Sequence, residues 1–394
     1  MRRYQATFLF LAMLAATLRA DTWLVVPLSN LSDKPSLDWI GESIAESITE
    51  ALTREGILVV EREDRKEGER RLALKPNIRW TRASLLRLAE ALDANRVVFG
   101  TVELSASTEG PSLGVLKLNA QIINVRDLRR DGTFTETGPI EDLASLQSHL
   151  SWRVLASSAS KSAPSEEQFR AARADTRLDA MESYVRGLLA QAPDAKERYF
   201  QQALKLDARY SQAAFQYGRL LFLKNNQPSA ALQLEKVKSW DPHYRFANFM
   251  LGIAKFRLND FKSSEAAFER VTREVPLSEV LNNLGAAQFR LGMPEALENF
   301  RRALEGDDKD PTYHFNLGLA LLSRGAHAEA SEQFRATLDR DPKDQEATKL
   351  LGRSLRPQAG GAAKEDLHGL ERLKLEYEEA AYQQLKLLVA PQKK

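Results

Sequence analysis

The chain has 394 residues, a length that suggests two or three domains. Hydrophobic residues make up 43% and charged residues 28%, a balance that can bury a core and excludes disorder throughout. A formal net charge of +2 and the absence of cysteine exclude a global pull toward nucleic acid or anionic membrane, disulfides, thiolate metal sites, a cysteine nucleophile and a lipidated N-terminal cysteine.

Arg2 and Arg3 precede an apolar run from Phe8 to Leu18, and Arg19 and Ala20 then lead to Asp21. This pattern reads as a secretory signal peptide over 1–20, cleaved after Ala20. A retained N-terminal anchor is the competing reading, but the apolar run is short for a bilayer. No later stretch reaches the ~18 apolar residues of a membrane helix. The expectation is a periplasmic or secreted protein that is not integral to the membrane once cleaved.

Residues 21–155 read as a mixed domain. Trp23–Leu28 is a short apolar run, expected to be a buried strand. Ser36 caps a helix to about Arg54 whose Leu37, Ile40, Ile44, Ile48 and Leu52 form one buried face, with Gly56 as its stop. Ile57–Val60 reads as a second strand, and 61–79 as charge-rich and irregular or partly helical. Thr81 caps a helix with Leu85, Leu88, Ala89 and Leu92 inward. Val97–Val102 is a third strand, 108–112 a hairpin loop, and Val115–Val125 a fourth strand of alternating polarity. Asp131-Gly132 reads as a turn before a fifth strand, Thr133–Thr137. Leu143, Leu146, Leu150 and Val154 define a further helix. Residues 156–179 begin with a small, polar stretch and read as a linker or connecting helix.

From about residue 180 the chain is repetitive. Glycines recur at Gly187, Gly218, Gly252, Gly285, Gly318 and Gly352, at intervals of 31, 34, 33, 33 and 34. Pro242, Pro276, Pro311 and Pro342 recur in phase. Between glycine and proline lies a small residue followed by large apolar ones, such as Ala230 with Leu234, Ser264 with Phe268, Ala296 with Phe300, and Ala330 with Phe334. The glycine and the small residue let paired helices approach, the large residues fill the contact, and the proline starts the next unit. Such pairs bury a core only by stacking.

On these motifs, with Leu251-Gly252, Asn282-Asn283-Leu284-Gly285 and Tyr313-His314-Phe315-Asn316-Leu317-Gly318 as they stand, residues 180–357 resemble a tetratricopeptide repeat array. The array holds about five repeats and one further first helix. The resemblance implies a superhelix with a groove that takes a protein or peptide partner. Projecting the first helices places Tyr184, Leu188, Phe215, Phe222, Phe246, Phe249, Phe256, Phe289, Phe315 and Leu322 toward that groove. So apolar a surface either binds an apolar or amphipathic segment or is covered by the protein itself. Leu370, Leu373, Tyr377, Ala381, Leu385 and Leu388 form an apolar stripe, expected to lie on a capping helix within 358–394. One subfamily reads a terminal carboxylate with Lys, Asn and Arg; Tyr184 and Leu188 stand at such places here, so that clamp is expected to be absent.

Residues 22–155 carry Val26-Pro27-Leu28-Ser29-Asn30-Leu31-Ser32, Leu37–Ile44, Leu88–Val102 and Leu118–Asn124, and so resemble a TolB-like (FlgO/CsgG-like) α/β domain of bacteria. That resemblance implies a small sheet flanked by helices in an envelope-associated role and transfers no catalytic residue. No nucleotide-binding glycine loop or paired-histidine zinc motif is present, and the five histidines are dispersed. The expected fold is α+β, an N-terminal α/β domain followed by an all-α repeat superhelix. The expected function is a non-catalytic envelope scaffold without metal or cofactor, with no nucleic-acid partner. A ligand-sensing α/β domain whose signal the repeats relay is the alternative.

Overall fold

The computed structural model describes residues 21–32, 34–74, 79–106, 114–158, 163–171, 176–356, 367–378 and Tyr382. The signal-peptide reading and the 108–112 hairpin loop fall outside the described residues. Strands β1 (Trp23–Val25), β2 (Ser29–Asn30), β3 (Arg96–Ser105), β4 (Val115–Asn124) and β5 (Arg130–Pro139) form one sheet in the order β1-β3-β4-β5, with β2 also on β3. β1 and β2 run parallel to β3, and β3, β4 and β5 form an antiparallel meander.

Helices α1 (Asp38–Arg54), α2 (Arg62–Arg71), α3 (Arg82–Ala91) and α4 (Leu143–Ser158) surround this sheet. α3 starts at a capping box made by Thr81 and Ser84, and buries Leu85, Leu88 and Ala89 against Leu24, Val26 and Val97. α1 and α4 pack together through apolar side chains and two buried polar links, Ser43 to Gln147 and Ser47 to Ser151, both 2.9 Å.

Three local expectations differ from what is observed. Ser36 does not cap α1: it lies within a single 3-10 turn, Pro35–Leu37, and α1 starts after Leu37 with no side-chain cap. The strand expected at Ile57–Val60 reduces to one bridge, Val59 to Trp23: the chain leaves α1 through Gly56 at φ +76° and meets the sheet edge only briefly. Asp131-Gly132 lies inside β5. The reversal instead uses Leu128 at φ +57°, and Arg96 on β3 pairs with Asp131. Cross-strand pairing and that ion pair override the local turn preference of the dipeptide. The charge-rich stretch after Val60 forms α2, with Glu67 accepting from both Arg70 and Arg71 on its exposed face.

After a short helix α5 (Glu166–Ala171), the chain is a series of helical pairs: α6 (Leu178–Leu189) with α7 (Pro193–Leu206), α8 (Ser211–Leu223) with α9 (Gln227–Leu234), α10 (Tyr244–Arg257) with α11 (Phe261–Thr272), α12 (Ser278–Arg290) with α13 (Glu295–Gly306), and α14 (Pro311–Ser323) with α15 (His327–Arg340), then α16 (Gln345–Leu355). The compact units do not divide where the composition changes. One runs to Ala213 and takes in Trp240–Pro242; the other comprises Ala214–Ser239 and His243–Tyr382. Within the first, the sheet domain holds the first helical pair by side chains: Arg62 donates to the Leu188 carbonyl at 2.8 Å and Arg186 to the Ser36 carbonyl at 3.2 Å; Gln212, at the start of α8, donates to Glu50 at 2.9 Å.

Each pair is built around the repeated glycine. A β-carbon at Gly187, Gly252, Gly285 or Gly318 would come within 2.5–2.9 Å of the ring of Phe200, Phe268, Phe300 or Phe334, well inside van der Waals contact. The turn inside successive pairs is equally regular, with Asn225, Asn259, Gly292 and Gly325 at φ +59°, +60°, +69° and +76°. These left-handed residues follow α8, α10, α12 and α14, where only asparagine or glycine sits at low cost.

Gly352 occupies the same repeat position on α16, yet among the described residues no atom outside its own helix backbone and chain neighbours lies within 4 Å of a β-carbon built there. The two positions therefore respond in opposite directions. In urea unfolding, Gly252→Val is expected to lose about 3 kcal/mol through overpacking against Phe268. Gly352→Ala is expected to gain up to about 1 kcal/mol from helix propensity alone.

Candidate functional site

The second unit carries an apolar groove, and a segment of the same unit lies in it. Residues 367–378 are not a capping helix. Apart from one turn at 367–369, with Gly369 at φ +94°, they run without helix. The apolar stripe expected on a helix thus belongs to an extended segment at Leu370, Leu373 and Tyr377, while Ala381, Leu385 and Leu388 lie outside the described residues.

The first helices supply what an extended backbone needs. Asn316 on α14 accepts from the Arg372 amide at 3.0 Å and donates to the Arg372 carbonyl at 2.8 Å. Asn283 on α12 treats Lys374 the same way, at 2.8 Å for both bonds. Asn282 adds a second donor to the Arg372 carbonyl at 2.9 Å and accepts from Asn316 at 2.7 Å. All three asparagines are buried. Asn283 and Asn316 each stand two residues before an in-phase glycine. One repeat of protein therefore grips every second residue of the segment, the spacing at which an extended chain returns to the same side. The segment runs against repeat order, from Leu367 beside α14–α16 back to Tyr377 beside α10.

Side-chain contacts fix its register. The Arg372 guanidinium lies 3.4 Å over the Phe315 ring and grips Asp344 through two nitrogens, at 2.5 and 2.9 Å. Lys374 pairs with Asp310. Asp310 and Asp344 also cap α14 and α16, accepting from the Thr312 and Ala347 amides, so one carboxylate serves a helix end and a groove cation at once. Burial disfavours their charge. The Lys374 and Arg372 bonds and the capping amides more than offset it, and both carboxyls are held below the usual range. Tyr377 is buried, 4.8 Å from Phe249 and 6.0 Å from Phe246, and His368 meets Phe289 edge-on at 5.3 Å.

Of the residues projected toward the groove, Phe246, Phe249, Phe289 and Phe315 meet the segment in these contacts. Phe222 and Phe256 pack on the cluster that includes Tyr377, and Leu322 on the cluster that includes Leu367. Phe215 stacks on His243 at 4.4 Å. Tyr184 and Leu188 belong to the first unit, where Tyr184 lies 5.0 Å from Tyr210; burial holds its phenol well above the usual range. The projection did not name Asn282, Asn283, Asn316, Asp310 or Asp344. The signal for two of them was present, an asparagine recurring in phase in consecutive repeats. It identifies a groove residue only once a polar side chain on a buried helix face is asked for a backbone partner.

Among the described residues, the first unit holds a small cavity of about 120 Å³, lined by Leu28, Asn30, Asp38, Glu42, Lys66 and Trp80 among others. Its charges are already engaged. Glu42 accepts from Arg62 at 2.7 Å and from Arg65 at 2.6 Å, and Arg65 also donates to Glu69 at 3.0 Å. Among the described residues, no group of three or more His, Asp or Glu side chains is placed to hold a metal ion, and no helix is long and apolar enough to cross a membrane.

A family model described as tetratricopeptide repeat matches residues 249–293 and 293–345, the two pairs from α10 to α13 and the one from α14. No curated protein matches the chain. Among solved structures, the chain is similar to YrrB, described as a tetratricopeptide repeat protein with an unusual peptide-binding site: 24% identity, 39% of this chain and 81% of that one, TM-score 0.35. It is similar also to MamA from Desulfovibrio magneticus RS-1, at 19% identity over 42% and 95% with TM-score 0.37. A thermophilic tetratricopeptide protein of Thermus thermophilus gives 20% over 45% and 98%, with TM-score 0.32.

The buried Glu42 cluster carries a pH dependence. Burial works against the Glu42 charge, but Arg65 and Arg62 outweigh it and bring its carboxyl down to about 2. A folded value below the unfolded one gives stability that is complete above about 4.5 and is lost as pH falls toward 2. Glu42→Gln is expected to cost about 3 kcal/mol at pH 7, because Arg65 stays buried with less charge to face it. The gap between variant and wild type should narrow through that acid window in denaturant titrations.

Proposed function

We propose that this chain is an exported, non-catalytic recruiter in the bacterial envelope that holds an extended segment of another protein in its repeat groove. The observation that carries this reading is the backbone grip of Asn283 and Asn316 on Arg372 and Lys374. Those bonds recognise an extended main chain whatever its side chains, the chemistry of a peptide-holding surface. The tetratricopeptide model covers the same helices. The charged N-terminus followed by the apolar run Phe8–Leu18 supports export, and the TolB-like resemblance of residues 22–155 supports an envelope setting. A small-ligand sensor is less well supported. The cavity described in the first unit, at about 120 Å³, is below the roughly 300–1,000 Å³ usual for ligand pockets.

The test places a photo-crosslinking amino acid at Leu291, an exposed position at the end of α12, in the chain produced in its own host. Crosslinked peptides are then sequenced from the envelope fraction. The expected outcome is a chain beginning near Asp21 joined to one internal stretch of a second envelope protein. Recovery of an uncleaved cytoplasmic chain, or of crosslinks to this chain alone under every growth condition, would contradict the reading.

A further inference from the structure

Residues 367–378 fill the groove as a ligand would, so their side chains report which ligand it selects. The groove has a sequence-neutral part and a selective part. The asparagines hold main chain only. Selection falls to the N-cap positions of successive first helices, which read Asp344, Asp310 and Leu277 on α16, α14 and α12. The first two face Arg372 and Lys374, and Leu277 packs on the cluster that holds Tyr377. Two acidic steps are thus followed by an apolar one, met in antiparallel order by cation, cation and aromatic ring. The Phe315 face adds a preference for a guanidinium at the first step.

The fit has one defect. The Glu371 side chain is buried; its Oε2 accepts from the Gly369 amide at 2.9 Å, but among the described residues its Oε1 has no partner, nor has the Nε of Arg290 opposite. The nearest approach of the two groups is 3.6 Å, longer than a hydrogen bond. Burial pushes the Glu371 carboxyl up, against its backbone hydrogen bonds and the pull of Arg290. A buried carboxylate with one oxygen left unpaired weakens the ligand that carries it. The segment therefore owes its place partly to being joined to the groove, and a tether of this kind supplies an effective concentration in the millimolar range.

We propose that residues 367–378 are an internal competitor. The groove's ligand is an extended segment of a partner protein reading Arg–apolar–Lys–any–any–Tyr, lacking an acid just before the arginine, and it binds by displacing Arg372, Lys374 and Tyr377. This rests on the recruiter reading and specifies its partner.

The probe is a fluorescent peptide with the sequence of residues 367–378 and Gln at the Glu371 position, titrated into the full chain. Wild type is expected to bind it weakly. The triple variant Arg372→Ala, Lys374→Ala, Tyr377→Ala should bind at least tenfold tighter, and Lys374→Glu alone, a milder change at a partly exposed ion pair, should give part of that gain. A peptide with Glu restored should bind at least threefold more weakly than the Gln peptide. Scrambling Arg, Lys and Tyr should abolish binding, and Asp310→Lys should recover a peptide whose Lys is changed to Glu.

Equal binding of scrambled and ordered peptides would overturn the proposal, as would no gain in Lys374→Glu and the triple variant. If wild type forms concentration-dependent dimers that the triple variant does not, the occupant is a second copy and the partner assignment falls. The recruiter reading survives failure of the peptide if the Leu291 crosslinks still reach a second protein, and falls with it if they do not.

Discussion

An extended chain laid among helices has no neighbouring strand to satisfy its amides and carbonyls, and burying them unpaired would cost more than the apolar contacts return. Asn283 and Asn316 remove that cost, each by giving one main-chain residue both a donor and an acceptor. Everything else in the groove depends on this. Tyr377 reaches Phe249, and Arg372 reaches Phe315 and Asp344, only because the main chain between them can stay extended and buried.

The asparagines are placed in turn by the glycine contact. Gly285 and Gly318 let Phe300 and Phe334 close against α12 and α14. That fixes the rotation of each first helix about its own axis and directs the residue two positions earlier into the groove. The same rotation brings the N-cap carboxylates Asp310 and Asp344 to its edge. A position whose local task is to hold a helix end thus also reads a cation. The caps and the asparagines are one repeat apart, so the grip on main chain and the reading of side chains advance together.

Much of this was legible in the sequence. The glycine and proline phases located the helical pairs because close helix contact leaves few residue choices. The phenylalanines of the first helices marked the groove for the same reason. The unusual apolarity of that surface raised the question of self-coverage without deciding it. What sequence periodicity could not convey was the conformation of residues 367–378. Leu370, Leu373 and Tyr377 recur at helical spacing, yet the groove offers main-chain partners that a helix would leave unused, and tertiary hydrogen bonding overrides the local pattern. The same competition explains Asp131-Gly132, drawn into β5 by pairing with β4 and by Arg96.

If the groove holds residues 367–378 as an extended segment gripped through its backbone, the Arg372 and Lys374 amides are shielded from water, and amide hydrogen exchange reads this at each residue. Both amides are expected to exchange slowly in the wild-type chain. Asn316→Ala should release chiefly Arg372 and Asn283→Ala chiefly Lys374, while amides in α15 stay protected. Rapid exchange of both amides in wild type, or protection that survives loss of both asparagines, would contradict it.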